Sequence, residues 1–138
     1  MRVLALDYGS ARCGCAVSDP TGVLASPLEP VLAPATRRGF ARLRALVREL
    51  DAERVVVGLP LSLSGGDSAQ TAETRAFAAK LERQLSVPVE LYDERLTTRM
   101  AEASQREGAL AAQDSLAAAH LLQAYLAGRA ATEGDGDA

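Results

Sequence analysis

Carboxylates stand at three points where an apolar segment ends or begins. Asp7 closes the run in "VLALDYG", Asp93 and Glu94 follow "VELY", and Asp114 opens "DSLAAAHLLQAYL". An ionised carboxylate against buried apolar chain costs free energy unless it is paired, hydrogen-bonded or bound to a cation. For Asp7 alone, an Asp-initiated turn through Tyr8 and Gly9 is an equally good account. A second acidic strand end at Asp93 and Glu94 is harder to explain as a turn device. Asp114 precedes Ala117, Ala118, Leu121 and Tyr125 at helical spacing, which puts it on the inward stripe of a helix. A plain N-cap is the competing account of that residue.

If Asp7, Glu94 and Asp114 converge, each close pair repels by about 4 kcal/mol at roughly 4 Å and an effective dielectric near 20. Such a cluster stays ionised only around a cation. Oxygen donors without a His or Cys set favour Mg2+ or Mn2+ over zinc. Sites of this type hold two ions about 3.5 to 4 Å apart, where they activate water and stabilise the leaving oxygen of a phosphodiester. Arg95, next to Glu94, would orient that carboxylate or touch a phosphate. His120 is the sole histidine, so any Ser-His-Asp or Cys-His mechanism rests on a residue inside an Ala/Leu-rich helix. Cys13 and Cys15, two apart on a strand, share a face and read as buried reduced thiols, too few for a disulfide framework or a zinc site.

The elements that would position these acids follow from periodicity. Apolar runs at 2–7, 13–19, 22–32, 54–60 and 87–92 read as strands, with the first three antiparallel. Pro27 and Pro30 put the third at an edge or break it, because proline donates nothing to a ladder. Residues 36–50 place Phe40, Leu43, Leu46, Val47 and Leu50 on one helical face and Arg37, Arg38, Arg42, Arg44 and Arg48 on the other. That arginine face is either solvated or in contact with phosphates. Asp67 and Gln70 have capping-box spacing for a helix running to about residue 85. A short helix over 97–108 and a last helix from Asp114 complete the domain, 1–128, and 129–138 reads as a disordered acidic tail. The expected architecture is α/β, a mixed five-stranded sheet with helices on both faces. Ligands in such sheets collect at the carboxyl ends of the parallel strands, where Asp7 and Glu94 stand.

At 138 residues, with 48% hydrophobic and 24% charged residues, the chain makes one globular domain with no room for a cofactor-binding second one. Its longest apolar runs are too short to span a bilayer, and "MRVLALD" lacks the h-region and cleavage site of a signal peptide. The expectation is a cytoplasmic protein with no membrane partner. Its net charge of −3 is unusual for a chain that grips nucleic acid, so phosphate contacts would be local, from the Arg37–Arg48 face, Arg95 and Arg99, or weak.

The segments "LALDYGSARCGCAVSD", "VVGLPLSLSG", "LYDERLTT" and "DSLAAAHLLQAYL" resemble, in order and spacing, the four signature segments of the YqgF-type (RuvX-like) family of pre-16S rRNA nucleases. The resemblance covers about residues 2 to 127, and "DERLTT" is quite specific by itself. It implies a ribonuclease H-like fold and a metal-dependent nuclease with catalytic and metal-ligating acids at Asp7, Glu94 and Asp114. Asp93 is the substitute for Glu94 if the strand end is rotated. It further implies that Gly58, Pro60, Gly65, Arg95 and Thr97 border the substrate, although Gly58 and Pro60 have equally good structural roles. The cofactor implied is Mg2+ or Mn2+, two ions; the partner is RNA, such as pre-16S rRNA, or branched DNA, met by a monomer or a homodimer. One departure is "SQREGALAAQD" before the last acid, with only Arg106 basic where the family commonly carries a longer lysine-rich connection. Three alternatives stay open. A Holliday junction resolvase would use the same site as a dimer, an actin-like ATPase or sugar kinase would need two domains of this type, and a catalytically silent nucleic-acid or protein binding module would leave the acids apart.

Overall fold

Alternate residues of the central strands are apolar on both sides, so the sheet they form must be covered on both faces. The structure, a computed structural model, describes residues 1–61, 68–97 and 113–136, and their side chains except at 96–97, 113–114 and 131–136. β1 (Val3–Asp7), β2 (Arg12–Ser18), β3 (Ala25–Leu32), β4 (Arg54–Leu59) and β5 (Val89–Asp93) form one sheet in the order β3-β2-β1-β4-β5. β1 pairs antiparallel with β2, which pairs antiparallel with β3, while β4 runs parallel to β1 and to β5. This is the mixed five-stranded sheet expected from the sequence. β3 lies at the edge, where the missing N–H groups of Pro27 and Pro30 do least harm.

The three described α-helices divide between the faces. α1 (Arg37–Glu49) and α2 (Ala69–Gln84) bring Phe40, Leu43, Leu46, Val47, Phe77 and Leu81 against Leu4, Leu6, Val55 and Val57. The other face, lined by Val3, Ala5, Ala16 and Val56, is covered by Ala118, Leu121, Leu122, Tyr125 and Leu126 of α3 (Gln113–Gly136). Cys13 and Cys15 are buried free thiols on the α1/α2 face. α3 runs the length of the sheet. Near its start the Ser115 hydroxyl meets Cys15 of β2, and further along the Tyr125 hydroxyl lies 3.3 Å from the Arg54 guanidinium, which pairs with Glu90 at 2.8 Å.

Several boundaries move from those expected. β3 begins at Ala25 because the Asp19 carboxylate accepts from the Val23 and Leu24 amides, both at 2.8 Å, and holds the preceding residues in a turn. The N-cap of α2 is Ser68, whose hydroxyl accepts from the Thr71 amide at 3.2 Å. The helix therefore starts one residue later than the Asp67–Gln70 spacing suggests. α3 continues to Gly136 and so includes residues assigned from sequence to a disordered tail; Ala130 and Ala131 favour the start of that extension. The helix expected over 97–108 lies outside the described residues.

Candidate active site

Strand parity decides which side chains share the α3 face. Val3 and Ala5 point to it, so Asp7, two residues on, does as well, at the carboxyl end of β1. Val56 points the same way on the neighbouring β4, and therefore Gly58 does too. Gly58 stands beside Tyr92 in the β4–β5 register, and Tyr92 packs into the α3-side core. Glu94 opens the 3-10 turn (Glu94–Thr97) that follows β5. Its carboxyl reaches back over Gly58, where an added Cβ would lie 2.6 Å from Oε1 and 2.9 Å from Cγ of Glu94. The bare Cα of Gly58 is the seat of the Glu94 carboxyl.

Seated there, Glu94 hydrogen-bonds to Asp7. Burial is the largest cause pushing the Glu94 carboxyl up to about 8; the hydrogen bond and the charges of Asp7 and Asp93 add to it. Burial also raises Asp7, opposed by the hydrogen bond from Glu94. The two acids hold a proton between them, because like charges at contact cannot both be solvated there.

Asp93, one residue earlier, has the opposite environment. The Arg95 side chain holds it through Nε to Oδ1 at 3.0 Å and Nη2 to Oδ2 at 2.6 Å, and the Arg95 amide donates to Oδ1 at 3.0 Å. This holds the Asp93 carboxyl below its ordinary value. Of the two adjacent acids, Glu94 is the one brought to Asp7. Arg95, expected to orient Glu94 or to touch a phosphate, binds Asp93.

Asp114 lies in the first turn of α3, and its side chain is outside the described atoms. Its neighbour in the helix, Ser115, is tied to the sheet. The fully buried Ser115 accepts through Oγ from the Cys15 amide at 3.0 Å, and Gly14, next to Cys15, is the register partner of Asp7. Of the stripe assigned to Asp114, Ala118, Leu121 and Tyr125 are buried, whereas Ala117 is exposed. The inward face is centred nearer Ser115 and Leu122 than the spacing of alanines and leucines indicated.

Pro60 has a structural contact, its carbonyl accepting from the Thr71 hydroxyl at 2.5 Å and tying the exit of β4 to the first turn of α2. Gly65 and the Thr97 side chain lie outside the described residues. Ser115 is hard to single out from sequence because one hydroxyl in an Ala-rich helix has no pattern of its own. Its place ahead of Ala118 and Leu122 on one helical face was the available signal. A separate cleft of about 700 Å³ opens at the opposite edge of the sheet, lined among others by Arg2, Arg48, Asp51 and Glu53. Its mixed charges form no matching set of donors, and the acids of interest are elsewhere.

Among the described residues no three His, Cys, Asp or Glu side chains form a group able to hold a metal. The described donors are the two carboxyls of Asp7 and Glu94, oxygen ligands that repel once their shared proton leaves. Such a pair fits a hard divalent cation. The thiols are buried against the other face and add no soft ligand.

The chain is similar to known proteins over most of its length. The family model described as "RuvX: Holliday junction resolvase" matches residues 1–128. A Koribacter versatilis protein named "Putative pre-16S rRNA nuclease" is 43% identical over 131 residues, covering 91% of this chain and 86% of the relative. A Thermobifida fusca protein of the same name is 50% identical over 110 residues, covering 77% of this chain and 66% of the relative. Among solved structures, RuvC of T. thermophilus in complex with a Holliday junction substrate superposes with a TM-score of 0.64 at 19% identity, covering 96% of this chain and 97% of that one. The fowlpox virus Holliday junction resolvase gives 0.57 at 15% identity, covering 93% and 99%. These structural likenesses show the ribonuclease H-like fold.

Proposed function

We propose, from the premise that this chain belongs to the RuvX family, that it is a metal-dependent endonuclease hydrolysing phosphodiester bonds of structured RNA. The substrate we propose is pre-16S rRNA, cut at its 5′ end in ribosome biogenesis; the name its relatives carry, "Putative pre-16S rRNA nuclease", supports the RNA. The observation that carries the reading is the half-buried, hydrogen-bonded pair Asp7 and Glu94, with Glu94 seated over Gly58, at the carboxyl edge of a ribonuclease H-like sheet. Asp7, Glu94 and Asp114 would hold Mg2+ or Mn2+. Two such ions supply water activation and stabilisation of the leaving oxygen.

The chain's own residues do the rest. Asp7 stands at the end of a rigid central strand. The pair releases its proton so that Glu94 becomes a ligand, and Gly58 keeps the seat of Glu94 open. Arg95, steadied by Asp93, would meet the substrate backbone together with Thr97, and Pro60 and Gly65 would border the substrate. Residues 1–128 carry the activity, in the cytoplasm. A second reading, resolution of branched DNA, is favoured by the description of the family model and by the fold shared with RuvC. It requires a homodimer with paired sites, whereas cleavage of RNA needs one.

Cleavage of pre-16S rRNA and of a four-way DNA junction, side by side with Mg2+ and Mn2+, separates the two readings. Asp7→Asn is isosteric and should cost about 100-fold or more in rate on the preferred substrate with the fold retained. A folded Asp7→Asn variant as fast as wild type would end the metal reading. A wild type inert on both substrates would turn the weight to a silent binding module.

A further inference from the structure

We infer that Ser115 is the positioning residue that sets Asp114 beside Asp7, an inference that rests on the metal-site reading above. The segment leading into α3 lies outside the described residues, and within the described ones the first turn of the helix needs a directional tie to the sheet. Further along, short of Tyr125, whose hydroxyl meets Arg54 at the amino edge of the sheet, the contacts that hold the helix at Ala118 and Leu122 are apolar. Contacts of that kind are non-directional and tolerate sliding or rotation. A hydrogen bond has a preferred length and angle. The bond from the Cys15 amide to Ser115 Oγ, 3.0 Å long and buried, joins residues 100 apart in sequence.

Its location gives it consequence. Between Cys13 and Cys15 the β2–β3 pairing shifts register, so that two residues of β3, Glu29 and Pro30, lie opposite Gly14 alone. The Cys15 amide that meets Ser115 therefore sits where the ladder is irregular. Along the strand, Cys15 adjoins Gly14, the register partner of Asp7. Along the helix, Ser115 adjoins Asp114. One hydrogen bond thus joins the neighbour of one acid's strand partner to the neighbour of the other acid. The other described buried serine and threonine hydroxyls, Ser18, Thr71 and Thr74, bond to backbone at the amino edge of the sheet, in the loop leaving β4 and within α2. Only Ser115 of these links α3 to the sheet.

The test reads metal binding directly, on the full chain, by titrating Mn2+ and following the free ion by electron paramagnetic resonance. Ser115→Ala should weaken Mn2+ binding about tenfold, the loss typical when a group that orients a ligand is removed. Ser115→Thr, which keeps the hydroxyl, should restore affinity to within about threefold of wild type on the same ground. In an Asp114→Asn background, Ser115→Ala should cost no further affinity, because the ligand it positions is already gone. Should the alanine variant fail to fold, Ser115→Cys keeps the volume, accepts hydrogen bonds weakly and gives the same comparison. Folded Ser115→Ala or Ser115→Cys with wild-type Mn2+ affinity would overturn the inference, even with a lowered melting temperature, because that is the signature of a structural role alone. A wild type that binds no Mn2+, or an Asp7→Asn variant that binds as well, would overturn the metal reading and this inference with it.

Discussion

At the scale of single residues, the pair Asp7 and Glu94 makes stability depend on pH in an unusual direction. The folded Glu94 carboxyl titrates near 8, against 4.5 ordinarily. Between those values the native state holds a proton that the unfolded chain releases, so stability is full below about pH 4.5 and falls as pH rises towards 8. With a chelator present, the loss should be on the order of 2 kcal/mol, reduced from the full linkage value because the group is partly solvated. Glu94→Gln should flatten the profile, and Mg2+ should stabilise wild type more at pH 8 than at pH 5; denaturant melts across that range measure both. Gly58 makes a second prediction. In Gly58→Ala the new Cβ would displace the Glu94 carboxyl, the end of a flexible side chain, so stability should change by about 1 kcal/mol or less. Nuclease rate should nevertheless fall about 100-fold, the scale of a misplaced reacting group. A variant that loses stability but keeps its rate would show that the seat is packing and not positioning.

At the scale of elements, the helices are set by their ends. Thr36 caps α1 by accepting from the Gly39 amide at 3.1 Å. Gly39 lies so close to the preceding turn that a Cβ would meet the Ala33 carbonyl and stand 2.6 Å from the Pro34 Cα. These are backbone atoms and cannot swing aside. Gly39→Ala should therefore cost about 1–3 kcal/mol, as overpacking does, in contrast to Gly58→Ala, and thermal melts of the two variants make the comparison. The same helix ends with Asp51 in the left-handed region at φ 52°, its amide bonded to Arg48 and that of Ala52 to Val47. This is a Schellman turn built without glycine. It returns the chain to the amino edge of the sheet so that β4 enters parallel to β1 and delivers Gly58 to the same end as Asp7.

At the scale of the whole molecule, the sheet is a frame with apolar cores on both faces and an acidic edge. Tyr125 stacks edge-on with Tyr92 at 5.8 Å and packs in the α3-side core, anchoring the later half of α3 ahead of its last turns. Ending the chain after Ala130 should therefore leave Tm and nuclease rate within error of full length, since the removed residues lie past the family match at residue 128. A marked loss of stability on that truncation would assign the helical extension a structural role. Among the described residues no helix is long and apolar enough to cross a membrane.

Composition and periodicity by themselves determined the five strands, the edge position of β3, the apolar faces of α1 and α3 and the three acids to watch. These depend on local rules, since alternation, proline chemistry and helical spacing act within a few residues. Motif resemblance extended that reading to the family. Which of Asp93 and Glu94 meets Asp7 was decided only in three dimensions, because adjacent residues at a strand end differ by a rotation that spacing does not specify. Arg95 claims the first, and the bare Cα of Gly58 admits the second. The N-cap of α2, the outward turn of Ala117 and the bond between Ser115 and Cys15 were decided in the same way. Each depends on a partner distant in sequence or on the local path of the backbone, and no periodicity encodes either.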